Sequence, residues 1–265
     1  MHSAKNNVAI VIAITENWVF AAATLMLSMK GKFERPFDLI IFHYGVKERE
    51  QALLNQIMPC RFIEFDWPVP DTIRCSRGTQ MNFSRFVCFE FLDCYDKVIW
   101  MDADIMVLKN MDGLFDYGDS GMAMVPYHRT FDSIYKNQVR RWKFDLRFSK
   151  YRFGGPLLSG GVMIFSNTLD SPFTMGDWCF LKMWEWSGYN TSTQPIIHIM
   201  VQEFDISVEF MDTKFNSPLY LQTDETIFLH PWGKRKFWNE VSNPLWDHYY
   251  SQWLKLSEDS SRKLR

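Results

Sequence analysis

The stretch KVIWMDADIMVL, residues 97–108, decides how the rest of this chain is read. Val98, Ile99, Trp100 and Met101 lead into Asp102 and Asp104, and Ile105, Met106 and Val107 follow. Such an apolar, β-branched run reads as a buried strand. Two carboxylates at its end are costly unless positive charge meets them, because burial disfavours a charge and like charges disfavour each other. Residues two apart in an extended segment project to one side, so both carboxylates aim at one point. Hard divalent cations take such oxygen ligands, with phosphate oxygens filling other positions.

Working outward, the N-terminal half alternates strands and helices. VAIVIAI (8–14) is a continuous apolar run, and AAATLMLSM (21–29) has helix formers up to Gly31. FDLIIFHY (37–44) predicts a second strand and VKEREQALLNQI (46–57) an amphipathic helix. RFIEFDW (61–67) predicts a third strand, closed by Pro68 and Pro70. NFSRFVCFEFLDC (82–94) predicts a helix, with Phe83, Phe86, Val87 and Phe91 at helical spacing. The DAD strand is then the fourth. This order implies a doubly wound α/β protein with a parallel sheet, whose ligands bind beyond the carboxyl ends of the strands. Asp102 and Asp104 fall at such an end. Further on, residues 121–127 and 160–166 predict strands, 175–186 and 198–211 helices, and 226–230 a short last strand.

Bulk properties set the bounds. A chain of 265 residues has the length for one large α/β domain or two small ones. It is 47% hydrophobic and 23% charged, the composition of a folded globular protein. A formal net charge of -2 gives no global attraction to nucleic acid. The five cysteines (60, 75, 88, 94 and 179) form no CxxC pair, which suits thiols in a reducing compartment. The first apolar run is too short to span a membrane, so a cytoplasmic protein is expected.

A second cluster of chemistry is HPWGKRKFW, residues 230–238, directly after the last strand. An imidazole from His230 added to two carboxylates favours Mn²⁺ over Mg²⁺ or Ca²⁺. Gly233 permits close backbone approach, and Lys234, Arg235 and Lys236 supply charge for phosphate. LSGGVMIFSN (158–167) opens a strand with Gly160 and Gly161, which permit a ligand or another chain segment to come near. Arg85 lies among phenylalanines, where a half-buried guanidinium is paired with carboxylate or phosphate.

Together these pieces resemble glycosyltransferase family 8, the retaining GT-A group that includes lipopolysaccharide galactosyl- and glucosyltransferases and glycogenin. AITENW (13–18) is similar to the family's first-strand nucleotide loop. Arg85 stands at the spacing of its donor-contacting arginine, and residues 96–115 follow its DxD block. LSGGVMIFS resembles its small-residue–Gly segment, with Ser159 where the family has Asn. HPWGKRKFW fits its HxxGxxKxW ending through His230, Gly233, Lys236 and Trp238. The resemblance implies a GT-A (Rossmann-like) fold over residues 1–240, with a central mostly parallel sheet flanked by helices. Residues 241–265 follow as a small helical C-terminal extension.

The same resemblance implies Mn²⁺, with Mg²⁺ as the alternative, held by Asp102, Asp104 and His230. It implies a UDP-sugar donor, UDP-glucose or UDP-galactose, and an oligosaccharide or glycolipid acceptor. Ala13, Thr15, Asn17, Asn82, Arg85, Asp102, Ala103, Gly233 and Lys236 would then bind the nucleotide. Arg85, Ser159, Gly160, Gly161, Gln202 and Glu203 would face the sugar, with Gln202 and Glu203 as the catalytic pair. The rival readings are a non-catalytic nucleotide-sugar or glycan module, a nucleotidyltransferase and a DxD phosphatase. Met106 stands where the phosphatases want Thr or Val, and AITENW is not the Gly-rich basic loop of nucleotidyltransferases. In the tail, Trp246, Tyr249, Tyr250 and Trp253, with Lys255 and the closing RKLR, suit a peripheral membrane contact.

Overall fold

Strand β1 (Val8–Thr15) sends alternate side chains to two separate cores, which is why its whole length is apolar. Ile10, Ile12 and Ile14 pack with helices α1 (Val19–Met29) and α2 (Glu48–Ile57) on one face of the sheet. Ala9 and Val11 pack on the other face with Phe83, Phe86 and Phe89. The computed structural model describes residues 5–65, 80–186 and 192–262. Asp66, Trp67, Pro68, Pro70 and Cys75 lie outside the described residues, as do the side chains of the final RKLR.

Strands β2 (Asp38–Tyr44), β3 (Cys60–Glu64) and β4 (Lys97–Met101) join β1 in a parallel block. With β6 (Met122–Thr130), β7 (Pro156–Ser166) and β8 (Val208–Phe210) they form a seven-stranded sheet ordered β3-β2-β1-β4-β7-β6-β8. The sheet is mostly parallel, as expected, with the exception of β7, which runs antiparallel to both β4 and β6. Antiparallel neighbours need no helical crossover. The chain between β6 and β7 is free to carry two short helices instead, α3 (Phe131–Ile134) and α4 (Lys136–Trp142).

Two helix expectations are revised. Residues Asn82–Asp93 form a 3₁₀ helix of unusual length, not an α-helix. Phe83, Phe86, Phe89 and Leu92, spaced by three, are all buried. Side chains three apart eclipse in a 3₁₀ helix, so this row forms a single apolar edge against the sheet. The segment 198–211 is not one helix either. Helix α5 (Pro172–Glu185) is followed by α6 (Thr193–Glu203), which ends where Asp205 turns left-handed at φ 51°. The Ile206 N–H then donates to the Val201 carbonyl and the Asp205 N–H to that of Gln202, closing the helix in a Schellman pattern. The chain leaves as β8, parallel to β6.

A second, two-stranded sheet matters most for the site. Strand β5 (Met106–Val107) follows the DAD turn, and β9 (Phe228–Leu229) precedes His230. They pair antiparallel, Met106 against Leu229 and Val107 against Phe228. The C-terminal helix α7 (Pro244–Arg262) lies along α1. Its Trp246 and Trp253 are buried, Tyr250 stacks on Trp246, and the Tyr249 hydroxyl takes a hydrogen bond from Lys32. These aromatics therefore face the protein. Trp253→Ala is expected to destabilise the whole protein by about 3–5 kcal/mol. Urea unfolding should show that loss in one transition shared with the central sheet.

Candidate active site

Asp102 leaves the end of β4 still tied to the sheet, its N–H donating to the Gly161 carbonyl at 2.8 Å. The chain then turns, with the Ile105 N–H returning to the Asp102 carbonyl, and Asp104 is brought round beside it. Because β5 pairs with β9, His230 emerges at the same end of that small sheet. Its Nε2 lies 3.1 Å from Asp104 and 3.8 Å from Asp102. One ligand atom from each of the three residues lies within 4.8 Å of the others. Two carboxylates and an imidazole at that separation fit a divalent cation of the Mn²⁺ type, with phosphate oxygens to complete the shell.

Each carboxylate has its own positive partner. Arg85, 3% exposed, donates to Asp102 at 3.2 Å and lies over the Trp100 ring at 4.7 Å. The Trp100 indole N–H donates to the same Asp102 oxygen at 2.9 Å. Lys236 contacts Asp104 and the Pro231 carbonyl. Burial pushes the Asp102 carboxyl up, outweighing the pull of Arg85 and His230. Burial pushes Asp104 in the same direction, but His230 and Lys236 outweigh it and hold that carboxyl well below its usual range. Two close carboxylates thus divide their protons unequally.

Behind the imidazole stands Asn216, fully buried and not anticipated from sequence. Its amide nitrogen donates to the Ser159 hydroxyl at 2.7 Å, which turns its oxygen toward His230 Nδ1 at 2.8 Å. That oxygen only accepts, so the proton is assigned to Nδ1 and Nε2 is left to face the carboxylates. The Trp232 indole nitrogen lies 3.1 Å from His230 Nδ1 and 3.4 Å from the same Asn216 oxygen, and with the proton on Nδ1 its N–H donates to that oxygen. Ser159 therefore supports the histidine through Asn216. The two glycines also make room for side chains. A Cβ on Gly161 would fall 2.5 Å from the His230 ring, and one on Gly160 2.5 Å from the Arg85 guanidinium.

Two adjoining cavities open on this centre. One, of about 600 Å³, is lined by Ala13, Thr15, Asn17, Trp18 and Ala103. The other, of about 340 Å³, is lined by Ser159, Gly160, Gly161, Gln194 and Trp232. They share Asn82, Asp102, Gly233 and Lys236. Gly233 is left-handed at φ 78° with open space where a side chain would stand, so its backbone faces the cleft. Trp238 packs edge-on against Trp18 at 5.0 Å and ties this loop to the first-strand loop.

Gln202 and Glu203 are not in either of these cavities. The Gln202 amide is held by the Arg152 backbone, and Glu203 accepts from Tyr151 and pairs with Lys150. Both sit on the last turn of α6, whereas the cleft meets its first turn, where Gln194 accepts from the Tyr135 hydroxyl at 2.8 Å. A helix start at Ser192-Thr-Gln-Pro was the available signal for Gln194. No local pattern marks Asn216.

Comparison with known proteins places the chain in a family. The pattern of glycosyl transferase family 8 matches residues 9–242. The chain belongs to glycosyl transferase family 8. That family is one of glycosyl transferases, which sets aside the phosphatase and nucleotidyltransferase readings. Among solved structures, the galactosyltransferase LgtC in complex with donor and acceptor sugar analogs matches at TM-score 0.63 and 17% identity, over 95% of each chain. The bifunctional glycosyltransferase WbbM matches at TM-score 0.67 and 14% identity, over 96% of this chain and 52% of its own. Galactinol synthase 5 of Arabidopsis thaliana is 38% identical over 71 residues, 26% of this chain and 21% of that protein. The chain thus spans about half of WbbM and about a fifth of the synthase. The structural likenesses show the GT-A fold.

Two measurements check the site. Asn216→Ala is expected to weaken divalent-cation binding by about 10- to 100-fold, since the imidazole loses its orienting partner. Calorimetry with Mn²⁺ reads that change. Affinity for Mn²⁺ should also fall on acidification while pH is still above the ordinary carboxylate range. Asp102, with its raised pKa, takes up its proton before Asp104 does, so the same titration repeated across pH shows the direction.

Proposed function

We propose that this enzyme is a divalent-cation-dependent, retaining hexosyltransferase that uses a UDP-sugar, UDP-glucose or UDP-galactose, and a hydroxyl of a glycan or glycolipid. The observation that carries this reading lies where the two cavities meet. Asp102 and Lys236 line both, Asp104 lines the larger, and His230 and the buried Arg85 line the smaller. In that smaller cavity the Arg85 guanidinium meets negative charge on a ligand. The larger cavity suits the uridine and ribose, held by Ala13, Thr15, Asn17 and Asn82. The smaller suits the donor sugar and the acceptor.

When bound, Mn²⁺ or Mg²⁺ would supply Lewis-acid stabilisation of the diphosphate. The chain's own groups do the rest. Lys236 and the open backbone at Gly233 offset the charge that develops on the departing phosphate. Arg85 orients the sugar-phosphate end. Gln194, in place of Gln202 and Glu203, presents its amide to the face of the sugar where positive charge develops. One solved LgtC structure is an active-site glutamine-to-glutamate mutant, which supports a glutamine in that place. The bond from the anomeric carbon to phosphate breaks as the bond to the acceptor oxygen forms on the same face. The acceptor proton passes to the departing phosphate oxygen, so no separate base is needed.

A screen of UDP-sugar hydrolysis with Mn²⁺ tests the donor class, and release of UDP from none of the UDP-hexoses would refute it. Asp102→Ala should lower turnover by about 100-fold or more. Gln194→Ala should lower kcat by about 10-fold or more with a smaller effect on KM. Gln202→Ala and Glu203→Ala should stay within about twofold of wild type, as they lie away from the cleft.

A further inference from the structure

The segment that follows β6 carries charge that the chain as a whole conceals. Between Lys136 and Lys150 there are six basic side chains and a single acid, Asp145, although acids outnumber bases over the whole chain, 31 to 29. Arg147 pairs with Asp145, and Lys150 with Glu203. The other four, Lys136, Arg140, Arg141 and Lys143, are exposed and have no carboxylate partner among the described residues. Their helix is anchored from beneath. Val139 and Trp142 are buried in the core, as is Phe148 just beyond. The cations are thus held outward by packing.

At the end of this helix stand the two most exposed large apolar side chains among the described residues, Phe144 at 88% and Leu146 at 89%. Asp145 between them is extended, at φ -112° and ψ 117°. Its neighbours on either side therefore project together, while its own carboxylate turns back to Arg147. An aromatic and an aliphatic tip, side by side and flanked by Lys143 and Arg147, cost free energy in water without a partner. Such near-complete exposure means that they protrude. A protruding apolar pair suits a fluid medium that closes round it. A collar of basic side chains selects a surface of negative charge, and their aliphatic stems lie along the apolar layer.

We propose that residues 136–147 dock this enzyme on an anionic lipid bilayer, with Phe144 and Leu146 inserted below the headgroups. Ile134 and Tyr135 immediately precede the segment; Ile134 lines the catalytic cleft, and Tyr135 holds Gln194. Docking by this segment sets the mouth of the cleft against the headgroup layer. This surface is separate from the C-terminal helix, whose Trp246 and Trp253 are buried.

The test is co-sedimentation of the full chain with two kinds of vesicle, equimolar phosphatidylcholine and phosphatidylglycerol, and phosphatidylcholine alone. Wild type should bind the anionic vesicles and not the neutral ones, and high salt should weaken the binding. The double variant Phe144→Ser, Leu146→Ser should lower the partition coefficient by about tenfold or more. Its thermal midpoint should be unchanged, since neither side chain is packed. Arg140→Gln with Arg141→Gln and Lys143→Gln should lower it comparably at low salt. Three results would each overturn the proposal. These are no binding by wild type, which would leave an acidic protein partner as the reading of the patch, equal binding to both vesicles, or a double variant that binds like wild type.

Discussion

Two carboxylates at the end of a central strand must be neutralised, and the upper half of this fold is arranged around that requirement. Asp102 and Asp104 draw three partners from separate parts of the chain: the Arg85 cation from the 3₁₀ segment, and the His230 imidazole and the Lys236 cation from the last loop. None of the three is held there by charge alone. Arg85 is fixed by the phenylalanine row around it and by the Trp100 face. His230 is fixed by β9 and Asn216, and Lys236 by a loop whose Trp238 packs on Trp18 and Phe20. Pairing a buried charge is worth little as stability, but breaking such a pair is costly. The arrangement is better understood as preorganisation for ligands that carry charge of their own.

The two-residue strands β5 and β9 show how little structure achieves this. They contribute only two paired positions, yet they fix the register between the DAD turn and the His230 loop. A shift by one residue would turn Met106 and Leu229 out of their buried places and carry the histidine away from the carboxylates. Burial of these side chains thus sets the metal-ligand spacing.

High aromatic content has two uses in this molecule. Most of it is core, as in the packed group of Phe131, Trp142, Phe148 and Phe153. The aromatics of the C-terminal helix belong to that class too. The exposed Phe144 is different because the buried side chains next to it leave it no inward direction. Composition cannot separate these cases, since the same residue types serve both.

Much of the chain was legible before any coordinates. Apolar period marked the parallel strands β1 to β4, because alternation and β-branching are local properties. The DAD turn and HPWGKRKFW named their own chemistry, because carboxylate, imidazole and ammonium have few other reasons to lie at the ends of apolar strands. What only the tertiary structure decided concerns direction and distance. The reversal of β7 depends on which neighbours it packs between. The 3₁₀ winding of residues 82–93 depends on an apolar row finding a flat surface. Asn216 acquires its role only because β9 brings His230 against it. Gln194 and Gln202 are eight residues apart on one helix, about 12 Å along its axis. Both are glutamines on apolar helix turns, and nothing local tells them apart. The fold puts the first turn of that helix at the carboxyl ends of the strands, where charge is gathered, and the last turn away from it.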